Sequence, residues 1–455
     1  MTTASLDWSE DAFFEAPEAK PLDGGTTSRG HLWHIAPQRW GHSMHTMCSY
    51  HGMFPAKLAH FFIQRYTRPG DVVFDPFSGR GTVALQARAE GRRSISNDLS
   101  PLAYILTHAK AKAPEYEIVL ERLGQIEKRY RQSKAQSVAV SPDIEMLYHP
   151  TTLRQLVFLR KELHRKPFTE WTAAETVIAG SLAGIMHGSF RRDGTSQYLS
   201  ISMPNTFSMS PSYVEKFIRE KELVKPPQDV FERLREKLAR IYLDAVDGPE
   251  GQVFHEDAAQ LMLSDSIRSR SVDLVVTSPP YLQVVNYGTA NWIRLWLLGV
   301  EEVGRERGVG RRNLDKTLDH RHTYDSYREF MTRTIQGIER VLKPNGVAAV
   351  VIGDVANPGK EAIQLASKIW ADVSSETTLR LVETIDDFID IDRKVSRIWK
   401  DTKGQATACD SVLVLAHAKA KPWDGPQDVD WDEPYKDGGP DAAHRRVSAG
   451  RYRHQ

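Results

Sequence analysis

An α/β fold is what this sequence predicts: a doubly wound sheet that binds ligands at the carboxyl ends of its strands, with a helical module inserted. Three observations lead there. Short apolar, β-branched runs at residues 72–74, 272–277 and 347–352 recur between amphipathic helical stretches, as strands buried on both faces do. The first run passes through a turn holding Gly79 and Gly81 into a helix, and the next strand ends on an acidic residue, Asp98. Between about residues 110 and 250 the strand signals stop and helical periodicity takes over.

Composition bounds the rest. With 455 residues, 40% apolar and 26% charged, the chain has the make-up of an ordinary water-soluble protein with a large core. The net charge is +1, so any nucleic-acid surface must be a local patch. Cys48 and Cys409 are the only cysteines and match no zinc spacing; no metal site is expected, and a reducing cytoplasm is. No apolar run reaches membrane-spanning length, Met1 to Lys20 is unlike a signal peptide, and no internal repeat is evident.

Residues 1–44 form an N-terminal arm, rich in Asp, Glu, Pro, Gly and Thr, expected to be loosely ordered and pinned by Trp33 and Trp40. Pro55 suits the first turn of a helix, along which Leu58, Phe61, Phe62 and Tyr66 follow at helical spacing. Pro69-Gly70 is a turn, Val72 to Phe74 a short buried strand, and Thr82 to Ala89 a helix. Glycines between strand and helix let a backbone approach a ligand, with unpaired helix N–H groups directed at it. The spacing is neither a dinucleotide fingerprint nor a phosphate-binding P-loop. An acidic Asp98 at the end of the next strand suits a ribose hydroxyl pair. Asp75, just before the glycines, would repel phosphates but suit an ammonium or a sulfonium. S-adenosylmethionine carries both.

Helices are expected over Tyr116–Arg131, Thr152–His164, Ala173–His187 and Val230–Val246, with a polar stretch at 188–217. Val253 to His255 read as a third strand; Asp257 just beyond it is either a helix N-cap or a ligand contact. Val272 to Thr277 deliver Ser278-Pro279-Pro280-Tyr281 to the end of a fourth strand. Neither proline can continue a ladder, so a hydroxyl, free carbonyls and an aromatic ring leave the strand in a fixed relation. Such an arrangement can hold a planar base bearing an amino group. Asn291 to Gly299 read as a helix whose Trp292 and Trp296 belong to the core. Arg305, Arg307, Arg311, Arg312, Lys316 and Arg321 lie amid glycines in a flexible basic loop, the best phosphate-binding candidate in the chain. A helix over Tyr327–Val341, a turn at 344–346, a fifth strand ending at Asp354, a helix over Ile363–Val373 and two last strands complete the pattern.

With both motifs in view, the chain resembles the site-specific DNA amino-methyltransferases, the N4-cytosine and N6-adenine family. DPFSGRGT is similar to that family's cofactor motif, and TSPPY to its catalytic motif, Asp/Asn/Ser-Pro-Pro-Tyr/Phe/Trp. FPAKL looks like the segment flanking the methionine part of the cofactor. The resemblance implies a Rossmann-like S-adenosyl-L-methionine-dependent methyltransferase sheet, mostly parallel with the last strand antiparallel. It spans residues 45–110 and 250–420 around a mainly helical module, 111–249, with a disordered tail over 421–455. Phe54, Pro55, Asp75, Pro76, Phe77, Gly79, Gly81, Thr82, Asp98 and Asp257 would bind S-adenosyl-L-methionine. Arg80 stands where the family often has a small residue, and it is expected to point outward.

The catalytic set would be Ser278, Pro279, Pro280 and Tyr281. In the family, the side chain at the Ser278 position and the carbonyl of Pro279 accept hydrogen bonds from the amino group, and Tyr281 would stack on the base. Serine at the first position goes with cytosine N4; Asp or Asn goes with adenine N6. The partner would be double-stranded DNA, with the base flipped out, and a cognate restriction endonuclease. Arg191, Arg192, Asn205 and Thr206 in the helical module and the basic loop are the candidate DNA contacts. The order of the motifs resembles the arrangement called alpha, but the insert precedes the Asp257 strand, where that arrangement puts its recognition region after it. An N6-adenine enzyme, an RNA amino-methyltransferase and a catalytically dead DNA-binding scaffold stay open alternatives.

Overall fold

A computed structural model of the chain describes residues 26–27, 33, 40–50, 52, 55–133, 140–204, 208–245, 247–282, 287–300, 323–354, 364–388, 409–421, 429 and 431. Its strands are β1 (Thr26–Thr27), β2 (Val72–Asp75), β3 (Arg93–Asn97), β4 (Gln252–Phe254), β5 (Val272–Thr277), β6 (Leu342–Gly353), β7 (Leu379–Phe388) and β8 (Cys409–His417). They make one sheet in the order β1-β7-β8-β6-β5-β2-β3-β4. Every pairing is parallel except those of β8, which runs antiparallel between β6 and β7. The mostly parallel sheet with its last strand antiparallel is therefore present. The order reverses beside β2, so the ends of β2 and β5 meet where a doubly wound sheet leaves its ligand crevice.

The core explains why the runs read as strands. Val347, Ala349 and Val351 of β6 face one side with Val73, Leu274 and Val276; Ala348, Val350 and Ile352 face the other with Phe74 and Val275. Both faces are covered, so the strands are apolar at every position rather than at alternate ones. Helix α1 (Ala56–Tyr66) and α2 (Thr82–Ala89) cover the first face through Leu58, Phe61, Phe62, Val83 and Ala87. Further helices named in chain order are α3 (Pro101–Ala111), α4 (Tyr116–Gln132), α5 (Pro150–Leu163), α6 (Ala173–Ile185), α7 (Pro211–Lys221), α8 (Val230–Ile241), α9 (Ala258–Leu263), α10 (Trp292–Leu297), α11 (Tyr324–Val341) and α12 (Leu365–Val373). The second face carries α9, α11 and α12.

Helices α4–α8 share a core with α3, with the segment around Met44 and Met47, and with Trp292, Ile293, Trp296 and Leu297 of α10. Trp292 Nε1 donates to the Met209 carbonyl at 2.7 Å, and the fully buried Arg294 donates through Nε to the Ala183 carbonyl at 3.2 Å. Both tryptophans of α10 are core residues. Gly184 explains how closely α6 packs: a Cβ there would lie 1.9 Å from the Met47 carbonyl oxygen. The stretch after β5 is thus built into the helical module.

In the arm, Trp33 is fully buried, donating Nε1 to Asp387 at 2.8 Å, and Trp40 is buried; Thr26–Thr27 add a strand beside β7 that the sequence pattern does not indicate. Beyond Lys421 the described residues are Val429, which is buried, and Trp431, whose carbonyl accepts from Trp40 Nε1 at 3.1 Å. The turn expected at 344–346 lies inside β6, where the pairing with β5 shifts register. The segment read as low in helix signal contains most of α7, started by Ser210 and Pro211. Among the described residues, no helix is long and apolar enough to cross a membrane.

Candidate active site

The ends of β2, β3, β4 and β5 are tied together before any ligand is considered. Asn97, fully buried, donates Nδ2 to the carbonyls of Pro76 (3.2 Å) and Glu256 (3.1 Å) and accepts from the Glu256 N–H at 3.0 Å. Asp75 at the end of β2 accepts from Thr277 Oγ1 at the end of β5, 2.7 Å away, and from the Phe77 N–H at 3.1 Å. Burial, reinforced by the charge of Asp98, pushes the Asp75 carboxyl up to about 7. It is a buried tie between the two strand ends and not part of the pocket wall.

Between these ends lies a cleft of about 670 Å³. Its walls include Pro76, Phe77, Gly79, Asp98, Asp257, Ser278 and Pro280 from the expected set, drawn from four separate stretches of chain. Asp98 accepts from the Gly79 N–H and the Ser100 N–H, each at 2.8 Å, and burial pushes it up to about 6. The N–H of Gly79 is therefore already used by the protein. Gly79 and Gly81 both have positive φ, +49° and +74°. A Cβ on Gly81 would meet the Thr107 Cα at 2.7 Å, so glycine is demanded there twice. Asp257 combines both of its readings: it caps α9 by accepting from the Gln260 N–H at 3.0 Å, and it lines the cleft.

Other expected residues lie behind the wall. Pro55 immediately precedes α1 in the N-cap position, Gly81 is the N-cap of α2, and Thr82 is buried, its hydroxyl accepting from Arg80 Nε at 3.1 Å. Arg80 does not point outward. Its guanidinium turns in to the His45 carbonyl at 3.3 Å, and burial lowers its pKa to about 10. Pro279 is buried outside the lining, and the Tyr281 hydroxyl bonds with Ser278 and Asp410. Arg191 and Arg192 are exposed on a turn closed by the Arg191 N–H to the Thr195 carbonyl. Phe54, Asn205, Thr206, Arg305, Arg307, Arg311, Arg312, Lys316 and Arg321 lie outside the described residues.

The structure adds aromatic walls that the motifs did not reveal. Tyr50, Tyr287 and Phe330 line the cleft with Phe77. Tyr50 and Tyr287 stack with centroids 6.0 Å apart, and Phe77 meets Phe330 edge-on at 5.6 Å. Tyr287 lies only six residues past Tyr281, so its aromatic character was a readable signal. Phe330 was not: it sits on α11 among residues whose periodicity marks a packed helix. The cleft thus offers an acidic end at Asp98, a hydroxyl at Ser278 and flat apolar walls, which together suit a polar cofactor and a planar second substrate. No group of His, Cys, Asp and Glu able to hold a metal occurs among the described residues.

The chain is similar in sequence to known methyltransferases. The Type II methyltransferase M.BsoBI of Geobacillus stearothermophilus is 24% identical over 334 residues, covering 67% of this chain and 63% of that protein. M.PvuII of Proteus hauseri, also a Type II methyltransferase, is 48% identical over a short stretch of 48 residues, 10% of this chain and 14% of its own. The chain thus matches less than two thirds of the length of either relative. Among solved structures, the rRNA methyltransferase aviRa of Streptomyces viridochromogenes is 12% identical, with a TM-score of 0.27 over 82% of this chain and 88% of that one. The DNA methylase family profile of N6/N4 methyltransferases matches residues 16–107 and 272–413. Those segments make up just over half of the sequence and contain both strand-end motifs, and the chain belongs to the N6/N4 DNA methylase family.

Proposed function

We propose that this chain transfers a methyl group from S-adenosyl-L-methionine to the exocyclic N4 of cytosine in double-stranded DNA, on a base flipped from the duplex. The setting would be restriction-modification, with a cognate endonuclease as partner, or host DNA modification. One observation carries the reading: Gly79 and Asp98, beside the glycine turn, and Ser278 and Pro280, at the end of β5, line the same cleft.

The residues present fit the cofactor. Asp98 stands at the end of β3 in the cleft wall, where a carboxylate would take the ribose hydroxyls. Phe77, Leu99 and Ala258 give an apolar slot for a purine, with Asp257 beside it for the adenine amino group. Bound there, the cofactor would supply an electrophilic methyl on a sulfonium. The chain's own contribution would be to prepare the nucleophile. An exocyclic amino nitrogen is a poor nucleophile because its lone pair is delocalised into the ring. Ser278 Oγ and the Pro279 carbonyl would accept its two N–H groups, favouring a pyramidal nitrogen with its lone pair aimed at the methyl. Holding the reacting atoms in line supplies much of the acceleration. A neutral serine is a weaker acceptor than a carboxylate, which supports cytosine over adenine. Exposed Arg191 and Arg192 are candidates for phosphate contacts.

Incubation with labelled methyl donor and either duplex DNA or tRNA tests this. Label in DNA is expected. Label only in tRNA would favour an RNA amino-methyltransferase, and cofactor binding without transfer to either would favour a scaffold.

A further inference from the structure

Ser278 has a hydroxyl hydrogen of its own, and a hydroxyl that donates into the cleft would repel the amino hydrogens it has to accept. Something must turn that hydrogen away. The Tyr281 hydroxyl is hydrogen-bonded both to Ser278 and to Asp410. Asp410 is the second residue of β8 and pairs with Gly353, just beyond the Thr277–Val350 pair of β5 and β6. Because β8 is antiparallel, its beginning lies at the sheet edge where β5 ends. Ser278 lines the cleft while neither Tyr281 nor Asp410 does.

Chemistry sets the direction of this chain. A carboxylate carries no proton and only accepts. Tyr281 therefore spends its single hydrogen on Asp410, and its oxygen accepts the hydrogen of Ser278. Ser278 Oγ is left facing the cleft with lone pairs alone.

We propose that Asp410 is a positioning residue which, through Tyr281, holds the Ser278 hydroxyl as a pure hydrogen-bond acceptor for the amino group of the target base. This rests on the functional reading above and deepens it: it explains how a neutral serine serves where a carboxylate or amide would need no such help. It also gives the tyrosine of the Ser-Pro-Pro-Tyr run a task for its hydroxyl, apart from its ring.

The test is a double-mutant cycle with Tyr281→Phe and Asp410→Asn. Each single variant is expected to lower kcat about tenfold on DNA, with KM for DNA and the Kd of S-adenosylhomocysteine within twofold of wild type. The double variant is expected to match Tyr281→Phe, because Asp410 acts only through the phenol. Wild-type kcat in either single variant, or losses that multiply in the double, would overturn the proposal. A second readout needs no turnover: with ring-labelled tyrosine, the Tyr281 Cζ resonance should move in Asp410→Asn and in Ser278→Ala. An unmoved resonance in both refutes the chain of hydrogen bonds. A wild type inert on DNA whose Tyr281 signal moves as expected would refute the functional reading and leave the hydrogen-bonded arrangement standing.

Discussion

Replacing Asp75 with Asn should stabilise the protein more at alkaline than at acidic pH. The carboxyl is buried and accepts from Thr277 and the Phe77 backbone. Burial, with the charge of Asp98 adding to it, raises its pKa from 3.8 to about 7. A raised carboxyl pKa means that ionisation is disfavoured in the folded state. The penalty is absent well below 3.8, grows as the unfolded chain ionises, and is complete above about 7. At roughly 1.4 kcal/mol per pKa unit, about 4 kcal/mol is felt at pH 8.5 and less than half of that at pH 5. An asparagine carbonyl still accepts both hydrogen bonds and cannot ionise, so it escapes this change. Urea unfolding of wild type and variant at the two pH values should show their stability difference moving by about 2–3 kcal/mol in favour of Asn at the higher pH. Asp98, present in both proteins, largely cancels from that comparison. An equal difference at pH 5 and pH 8.5 would refute the buried, ionising Asp75.

Gly81→Ala should cost about 2 kcal/mol or more, read from the urea midpoint, because an alanine at φ +74° is strained and its Cβ would lie 2.7 Å from Thr107 Cα. Binding of S-adenosylhomocysteine, followed by calorimetry, should weaken as pH falls through about 6, where Asp98 takes up its proton and loses charge as a ribose acceptor. Asp98→Asn should bind more weakly at pH 8 and show a flatter pH dependence; an unchanged profile would remove Asp98 from the cofactor site.

Much of the fold was readable because a strand buried on both faces is apolar at every position, and Val272–Thr277 and the run ending β6 are such strands. The short β1 carries no such pattern; Thr26 and Thr27 are recruited by the exposed edge of β7, a tertiary effect. Pro101 and Pro211 each start a helix, a signal that was present but outweighed by the polar residues around α7. At the site, the glycine turn, Asp98 and the Ser-Pro-Pro-Tyr run were visible because each is a local device at a strand end. Tyr50 and Phe330 were not, since their role depends on which side of a packed element faces the cleft. Arg80 was misjudged for the same reason: only the folded chain brings the His45 carbonyl to its guanidinium. Asp410 could not be found from sequence at all, because it meets Tyr281 only once β8 has turned antiparallel beside β6.

The most direct test of the central claim is to identify the methylated nucleoside. Duplex DNA treated with the protein and S-adenosyl-L-methionine, digested to nucleosides and resolved by mass spectrometry, should yield N4-methylcytosine, and Ser278→Ala should bind the cofactor as wild type does while losing most of that product. N6-methyladenine as the product would contradict the assignment of the base, and a Ser278→Ala variant working at the wild-type rate would contradict the role given to the hydroxyl at the end of β5.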